Sequence, residues 1–393
     1  MTNLLDHSLV EVGERLRIAR ETAKFTQAKA AAALEIARTT LLAIEQGQRR
    51  PRLDELQQLA GLYGTSVNAL LRRESVHVDL IPRFRKAIGE GEPAIDDAAR
   101  LLADLVQAEV ELEGLLGLRR PQNLPPERPI LRGDVRVQAE HDASELRQWL
   151  GISTSPVFDA VDLMEMQIGV RVYIRKLDSK ISGLFAYDDA VGACVLLNAS
   201  HRRDRRGTTA IHELGHIVST RRMPEALHDG YAENSREERY ANAFASAFLM
   251  PTRAVYQKFA ELTAGAPRLT RRHIIILAHS FGVGREAFVR RLEDLDLTKE
   301  GSWDWFSSNG GITDEQARLV LGDRFIEEVS SVDAVRPSEL RLNQLAFEAW
   351  RKDLLSEGQI ARLLHRDRVE IREIFDGFDA GESGDDDAPK IDH

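Results

Sequence analysis

The stretch of residues 208–218, with the sequence TTAIHELGHIV, most limits what this chain can fold into. His212 and His216 stand one helical turn apart, so a helix places both imidazoles on one face. Two neutral imidazoles aimed at one point can hold a zinc ion, and Glu213 between them can deprotonate a metal-bound water. The apolar neighbours predict a buried helix, in which a metal ion would satisfy these polar groups. The alternative, a polar surface turn, fits those neighbours poorly.

Length and composition limit the class of protein. A chain of 393 residues can form two or three domains, each with its own core. With 43% hydrophobic and 30% charged residues, the composition is that of an ordinary globular protein. The apolar runs are too short to span a membrane and the N-terminus lacks a signal-peptide core, so we expect a cytoplasmic protein without a membrane partner. The single cysteine, Cys194, is expected in the core.

The charge is distributed unevenly along the chain. The net charge of −10 argues against a nucleic-acid platform that covers the whole surface. Residues 1–73, however, carry 11 Lys and Arg against 8 Asp and Glu, which gives +3 there and leaves −13 for the remainder. This asymmetry indicates that the first segment has a different partner from the rest.

Residues 1–73 have the pattern of a small helical domain. Thr26 is a good N-cap and Gly47 a good C-terminal stop, and Pro51 follows. The apolar periodicity predicts five short helices, over residues 9–23, 26–34, 37–46, 53–63 and 67–71.

About 60 residues of this segment resemble the lambda-repressor or Xre type of helix-turn-helix domain. The matching positions are Leu16, Thr26, Gln27, Ala37, Ile44, Glu45, Gly47, Pro51, Leu56, Leu59, Ala60 and Leu70. The resemblance implies that the third helix enters the major groove of an operator in double-stranded DNA. By position, Arg38, Thr39 and Thr40 would read bases or phosphates, and Gln27 would contact the DNA backbone.

Other residues of the segment qualify this interpretation. Arg49, Arg50 and Arg52 are well placed for phosphates. The middle of the reading helix, residues 41–43, is Leu-Leu-Ala where relatives often have polar residues, so either the base-reading surface is small or Leu42 makes an apolar contact. The alternative is a small helical domain that contacts protein. Regulators of this type tend to bind paired half-sites as dimers, which would make the protein a homodimer.

Residues 74–134 are interpreted as a connector. Residues 95–118 read as one helix, and four prolines follow within residues 121–129. Such a proline content excludes both a helix and a central strand. The sequence therefore predicts a linker here, and with it a domain boundary.

Residues 135–296 have the pattern of a small zincin-like domain. Two amphipathic helices are predicted over residues 138–150 and 158–167, and strand-like runs follow over 170–174, 183–187 and 193–197. Short strands that lead into the helix with both histidines predict a sheet packed against a metal-bearing helix. The predicted fold class is multidomain and mainly α, with this small α+β domain in the middle.

The third metal ligand distinguishes classes of zincin. A metzincin would have glycine at position 219 and histidine at position 222, whereas this chain has Ser219 and Arg222, which excludes that class. Glu238 begins a helix of small and apolar residues that could cross the first helix closely. The acidic and histidine candidates downstream are His228, Asp229, Glu233, Glu237 and Glu238.

The two motifs together resemble the ImmA/IrrE family of metallopeptidases. His-Glu-Leu-Gly-His is followed by Glu-x-x-Ala-Asn-x-Phe-Ala-x-x-x-Leu-Met-Pro, and the resemblance covers about residues 140–296. It implies Zn2+ as cofactor, with His212, His216 and Glu238 as ligands and Glu213 as the general base of peptide-bond hydrolysis. Glu237 remains the rival third ligand, and Asn242 is a candidate to orient a ligand.

The remaining residues predict a helical C-terminal region over 297–377 and a disordered acidic tail over 378–393. Three hypotheses about function follow from the order of the domains. The chain is a DNA-binding regulator whose peptidase cleaves or senses a protein such as a repressor. Alternatively, it is an antitoxin or autorepressor whose peptidase-like domain docks a toxin or other partner with little turnover. In the third hypothesis it is a processing protease whose first domain binds only protein.

Overall fold

The N-terminal helices of the chain pack around a small apolar core of their own. This computed structural model describes residues 3–34, 36–63, 93–221, 225–228, 235–322 and 339–382. The chain divides into two units, residues 1–77 and 78–393. The helices described in the first unit are α1 (Asn3–Thr22), α2 (Gln27–Ala33), α3 (Arg38–Glu45) and α4 (Leu53–Tyr63). The fifth predicted helix, residues 67–71, lies outside the described residues.

Local chemistry explains where these helices begin and end. The Thr26 hydroxyl accepts a hydrogen bond from the Lys29 amide at 3.3 Å and so caps α2. Gly47 follows α3 with a φ of 69°, and a Cβ there would lie 2.6 Å from the Val10 Cα. Glycine is therefore needed both for the backbone conformation and for the close approach of α1. The fully buried side chains at the centre of this core are Leu16, Leu41, Ile44 and Leu59.

The second unit contains a four-stranded sheet with helices on both faces. Its first elements are α5 (Pro93–Leu116), α6 (Val135–Trp149), α7 (Ala160–Asp162), β1 (Arg171–Arg175), β2 (Ile181–Asp188), β3 (Gly192–Asn198), α8 (Arg203–Ser219) and β4 (Glu225–His228). A π-helical turn, Leu163–Ile168, follows α7. The later helices are α9 (Arg236–Leu249), α10 (Thr252–Thr263), α11 (Arg271–Phe281), α12 (Arg285–Asp294), α13 (Ser302–Ser308), α14 (Asp314–Leu321), α15 (Leu340–Arg351), α16 (Glu357–Leu363) and α17 (Arg368–Glu382).

The strands lie in the order β1-β3-β2-β4. β1 pairs with β3 in parallel, while β2 is antiparallel to both β3 and β4. The three predicted strands are confirmed. β4 was not predicted from the sequence, because a strand of four residues at the sheet edge has too few residues for a readable alternation.

Each face of the sheet contributes to a separate apolar core. On one face, Phe185 and Val195 pack in the same core as Ile211 of α8 and Phe244 of α9. On the other face, strand residues pack in a second core with α5 and with the C-terminal helices α15, α16 and α17. Cys194 belongs to this second core, and its burial raises the pKa of the thiol to about 12. The predicted fold class is confirmed.

Helix α5 is part of this unit, not of a connector between domains. Glu113 on α5 pairs with Arg171 of β1 at 2.8 Å and with Arg341 of α15 at 2.9 Å. Glu109, also on α5, pairs with Arg171 at 2.6 Å. The interpretation of residues 74–134 as a connector therefore does not hold for α5. A helical pattern alone cannot reveal this, since the partners of α5 are remote in sequence.

The C-terminal helix is longer than the sequence indicated. The predicted disordered tail begins at residue 378, but α17 continues to Glu382. The Phe378 ring stacks on Phe347 of α15 with centroids 5.3 Å apart, which ties the end of the helix to the second core. Residues 383–393 lie outside the described part of the chain. Among the residues that are described, no helix has the length and apolar character needed to cross a membrane.

Candidate metal centre and DNA-binding helices

The two histidines of α8 face each other at close range. The Nε2 atoms of His212 and His216 are 3.1 Å apart, and the two side chains are only 3% and 0% exposed. The Oδ1 atom of Asn242 accepts a hydrogen bond from Nδ1 of His212 at 2.9 Å. Since the proton is on Nδ1, Nε2 keeps its lone pair. Burial lowers the pKa of His212, which also favours the neutral imidazole.

Glu238 approaches both histidines from the first turn of α9. Its Oε2 lies 3.4 Å from Nε2 of His212, and its Oε1 lies 3.5 Å from Nε2 of His216. The Ser235 hydroxyl caps the helix by accepting a hydrogen bond from the Glu238 amide at 3.0 Å. This cap holds the backbone from which the carboxylate projects.

The two helices can approach closely because small residues, Gly215 of α8 and Ala241 of α9, stand where they cross. A Cβ placed on Gly215 of α8 would lie 3.0 Å from the Ala241 Cα of α9. This distance is well inside ordinary carbon–carbon contact. Glycine at this position therefore sets how closely α9 approaches, and with it the position of Glu238.

Glu213 lies on the side of α8 that faces the sheet. It is 1% exposed, and a Cβ built on Gly183 of β2 would lie 3.4 Å from Glu213 Oε1 and 2.9 Å from Thr209 Cγ2. The small residue in β2 thus leaves room for the Glu213 carboxylate beside the strand. The register between β2 and β4 shifts next to this position, between Ile181 and Gly183.

The three donor groups fit a zinc ion in both geometry and chemistry. Ligand atoms about 2.0–2.1 Å from a tetrahedral zinc ion are about 3.3 Å apart. The separations here are 3.1, 3.4 and 3.5 Å. Lone pairs of buried imidazoles and a carboxylate that converge in this way repel one another unless a metal ion or a proton lies between them. Among the described residues, His212, His216 and Glu238 form the group able to hold a metal ion.

Of the other candidates for the third ligand, Glu237 is the one whose side chain the structure describes. Glu237, next to Glu238, is half-buried and lies outside the cluster. His228 ends β4, where its backbone pairs with Ile181. Asp229 and Glu233 lie outside the described residues.

Some of the residues expected to bind DNA have exposed side chains, and others are hydrogen-bonded within the domain. Arg38 and Thr39 are exposed at the start of α3, Thr40 is half-buried, and Arg50 is exposed beyond the helix. The Gln27 side chain instead donates a hydrogen bond to Glu45 at 2.9 Å. The resemblance had implied that this side chain contacts the DNA backbone.

Arginine pairing in the first unit was not apparent from the sequence. Arg49, expected to contact phosphates, donates to both carboxylate oxygens of Glu55 at 2.9 and 3.1 Å. Arg20 and Glu45 form a buried ion pair at 2.7 Å that joins α1 to α3.

Two protein-family descriptions match separate parts of the chain. A helix-turn-helix domain matches residues 11–73, and an IrrE N-terminal-like domain matches residues 165–293. The HTH-type transcriptional regulator ImmR of Bacillus subtilis (strain 168) is 34% identical over 97 residues, which are 24% of this chain and 74% of that protein. The crystal structure of ComR from Streptococcus suis aligns over 96% of both chains, with 11% identity and a TM-score of 0.16. A TM-score this low supports no statement about fold or function.

Proposed function

The chain belongs to the family of helix-turn-helix regulators, here with an IrrE N-terminal-like domain, and we propose that it is a transcriptional regulator that binds zinc and cleaves a partner protein. The observation that carries this proposal is the convergence of three buried donor atoms from α8 and α9. The exposed residues at the start of α3 support an operator in double-stranded DNA as the second ligand.

Each residue of the site has a distinct role in this proposal. His212, His216 and Glu238 would hold the metal ion. A zinc ion in such a site polarises the scissile carbonyl and lowers the pKa of water. Glu213 would accept a proton from the attacking water and deliver it to the leaving amine. Asn242 would keep His212 in the tautomer whose Nε2 lone pair faces the site.

The metal assignment is tested by zinc content. We expect about one zinc ion per chain in the purified wild-type protein, the number that one tetrahedral site holds. His212→Ala and Glu238→Ala should each remove it, whereas Glu237→Ala is the matched control and should keep it. Zinc retained at the wild-type level in His212→Ala and Glu238→Ala would contradict the ligand assignment.

The catalytic assignment is tested by Glu213→Gln, which should keep zinc and lose cleavage because the amide cannot take up the proton. Regulation is measured in cells with a reporter gene under the protein's own promoter. Cleavage is measured by immunoblot of co-expressed neighbouring gene products. If Glu213→Gln regulates as the wild type does, the result contradicts cleavage as the function. It would favour the docking alternative, in which a toxin or other partner binds with little turnover.

The DNA assignment is tested by Arg38→Ala in a binding assay with the protein's own promoter. Loss of a base contact costs about 1–3 kcal/mol, which corresponds to about 5- to 150-fold in affinity. Arg17→Ala is the control, because it removes the same charge from a side chain that pairs with Glu14 on α1. Equal affinity of the two variants would count against α3 as the reading helix.

A further inference from the structure

The proline-rich segment is bound to the helices that form the site. We call residues 125–133 the proline-rich strap; three of its residues are Pro125, Pro126 and Pro129. Prolines hold the chain extended and donate no backbone hydrogen bonds, but their carbonyls remain available as acceptors. The strap therefore offers a row of carbonyl groups to donors on neighbouring helices.

One end of the strap contacts the C-terminal end of α8. The Arg128 amide donates to the Val218 carbonyl at 2.7 Å, two residues beyond His216. The Arg221 guanidinium donates to the Pro125 carbonyl and also, at 3.0 Å, to the Ile217 carbonyl. These bonds join the strap to the turn that follows the second histidine.

The other end of the strap contacts the first turn of α9. The Arg236 guanidinium donates to the Leu131 carbonyl at 2.6 Å and to the Gly133 carbonyl at 3.2 Å. Arg236 stands two residues before Glu238. A single side chain therefore joins the strap to the turn that carries the third donor.

A buried side chain joins the middle of the strap to α9 a second time. The Arg128 guanidinium pairs with Asp142 of α6 at 3.2 Å. The Asp142 carboxylate, 4% exposed, also accepts a hydrogen bond from the Tyr240 hydroxyl at 2.8 Å. Tyr240 lies between Glu238 and Asn242 in sequence, so this chain of contacts reaches the same part of α9.

We propose that the proline-rich strap sets the relative position of α8 and α9 at the metal site, and that Arg236 is a positioning residue for Glu238. This inference rests on the proposed zinc centre. The strap contacts α8 just after the histidine pair and α9 just before the carboxylate. Without the contact between Arg236 and the strap, the Ser235 cap is left to hold the first turn of α9. The Glu238 carboxylate then samples orientations that do not face both histidines. Zinc binding must order those orientations, which lowers the affinity.

The test compares zinc affinity across variants of the full chain, measured by competition with a chromophoric chelator. Residues that orient metal ligands typically contribute about 10- to 100-fold in affinity, and we expect about tenfold weaker binding in Arg236→Ala. Arg236→Lys should recover part of the loss, because an ammonium can donate to the same carbonyls. Arg239→Ala is the matched control: Arg239 is exposed on the same helix and its removal should leave the affinity unchanged.

Two further measurements separate positioning from general stability. Arg221→Ala removes the side-chain contacts to the Pro125 and Ile217 carbonyls on the α8 side and should weaken zinc binding in the same direction. The visible absorption of the cobalt-loaded protein should change in Arg236→Ala and not in Arg239→Ala, because it reports the arrangement of the ligands. Equal zinc affinities and equal spectra for the alanine variants of Arg236 and Arg239 would overturn the inference alone. A wild-type chain that binds no zinc would overturn the proposed function and the inference together.

Discussion

The contact between α8 and α9 should be very sensitive to one added methyl group, at Gly215. In the structure, a Cβ there would lie 3.0 Å from the Ala241 Cα, 3.3 Å from its Cβ and 3.4 Å from Phe244 Cδ1. Relaxed carbon–carbon contacts lie at about 3.5–4.0 Å, so Gly215→Ala must push the α9 backbone away by roughly half an ångström. A backbone atom cannot rotate out of the way as a side chain can.

Two opposing terms set the size of the effect on stability. Overpacking of this kind costs about 1–3 kcal/mol. Alanine is favoured over glycine inside a helix by about 1 kcal/mol, which offsets part of that cost. The free energy of unfolding of Gly215→Ala should therefore fall by about 0–2 kcal/mol. Zinc affinity should fall more clearly, by roughly tenfold, because Glu238 moves with α9 away from both histidines.

Gly207 provides a control on the same helix. A Cβ on Gly207 would meet only the Ala160 Cβ, at 3.8 Å, which is an ordinary contact. Gly207→Ala should therefore raise the free energy of unfolding by about 0.5–1 kcal/mol and leave zinc affinity unchanged. Urea unfolding and chelator competition measure the two quantities. If Gly215→Ala is as stable as Gly207→Ala and binds zinc equally well, the close crossing does not control the site.

Three further predictions concern buried ionisable side chains and their partners. Burial raises the pKa of Glu165 to about 7. Its carboxyl stays protonated in the folded chain while the unfolded chain ionises near pH 4.5, so stability falls as the pH rises from about 4.5 to 7, by up to roughly 3 kcal/mol. Glu165→Gln should accordingly exceed the wild type in urea unfolding at pH 8 and match it at pH 4; a constant difference would contradict the assigned cause. Tyr240→Phe removes a hydrogen bond to the buried Asp142 carboxylate and should cost about 1–3 kcal/mol in the same assay, and an unchanged midpoint would refute it. Glu45→Ala leaves the buried Arg20 without its main partner and should destabilise the first unit by about 3–5 kcal/mol, measured by the thermal unfolding of residues 1–77 in the full chain.

The elements that local pattern could predict were those with a regular period. The spacing of His212 and His216 predicts their shared face without any tertiary information, because a helix repeats every 3.6 residues. The three alternating or apolar runs predict β1, β2 and β3 for the same reason. β4 escaped prediction because four residues do not establish a period, and its pairing with β2 depends on a partner more than 30 residues away.

The choice of Glu238 over Glu237 as the third ligand rested on the family resemblance. Glu237 and Glu238 are adjacent, carry the same chemistry and begin the same helix. On a helix, neighbouring residues point about 100° apart, so only the crossing of α9 over α8 decides which of them faces the histidines. That crossing depends on Gly215 and Ala241, whose small size is visible in the sequence but whose contact is not.

The proline-rich strap shows most clearly which features local sequence determines and which depend on the tertiary structure. Four prolines within residues 121–129 were enough to exclude a helix, because a proline lacks the amide hydrogen and clashes with the preceding turn. From this local property the sequence predicted a linker and a domain boundary. The folded chain instead places the strap carbonyls against Arg221 and Arg236, beside the two helices of the site. The backbone chemistry of proline is a property of the residue itself and can be predicted from the sequence. The hydrogen-bond partners of a carbonyl depend on which distant segments the packing brings to it.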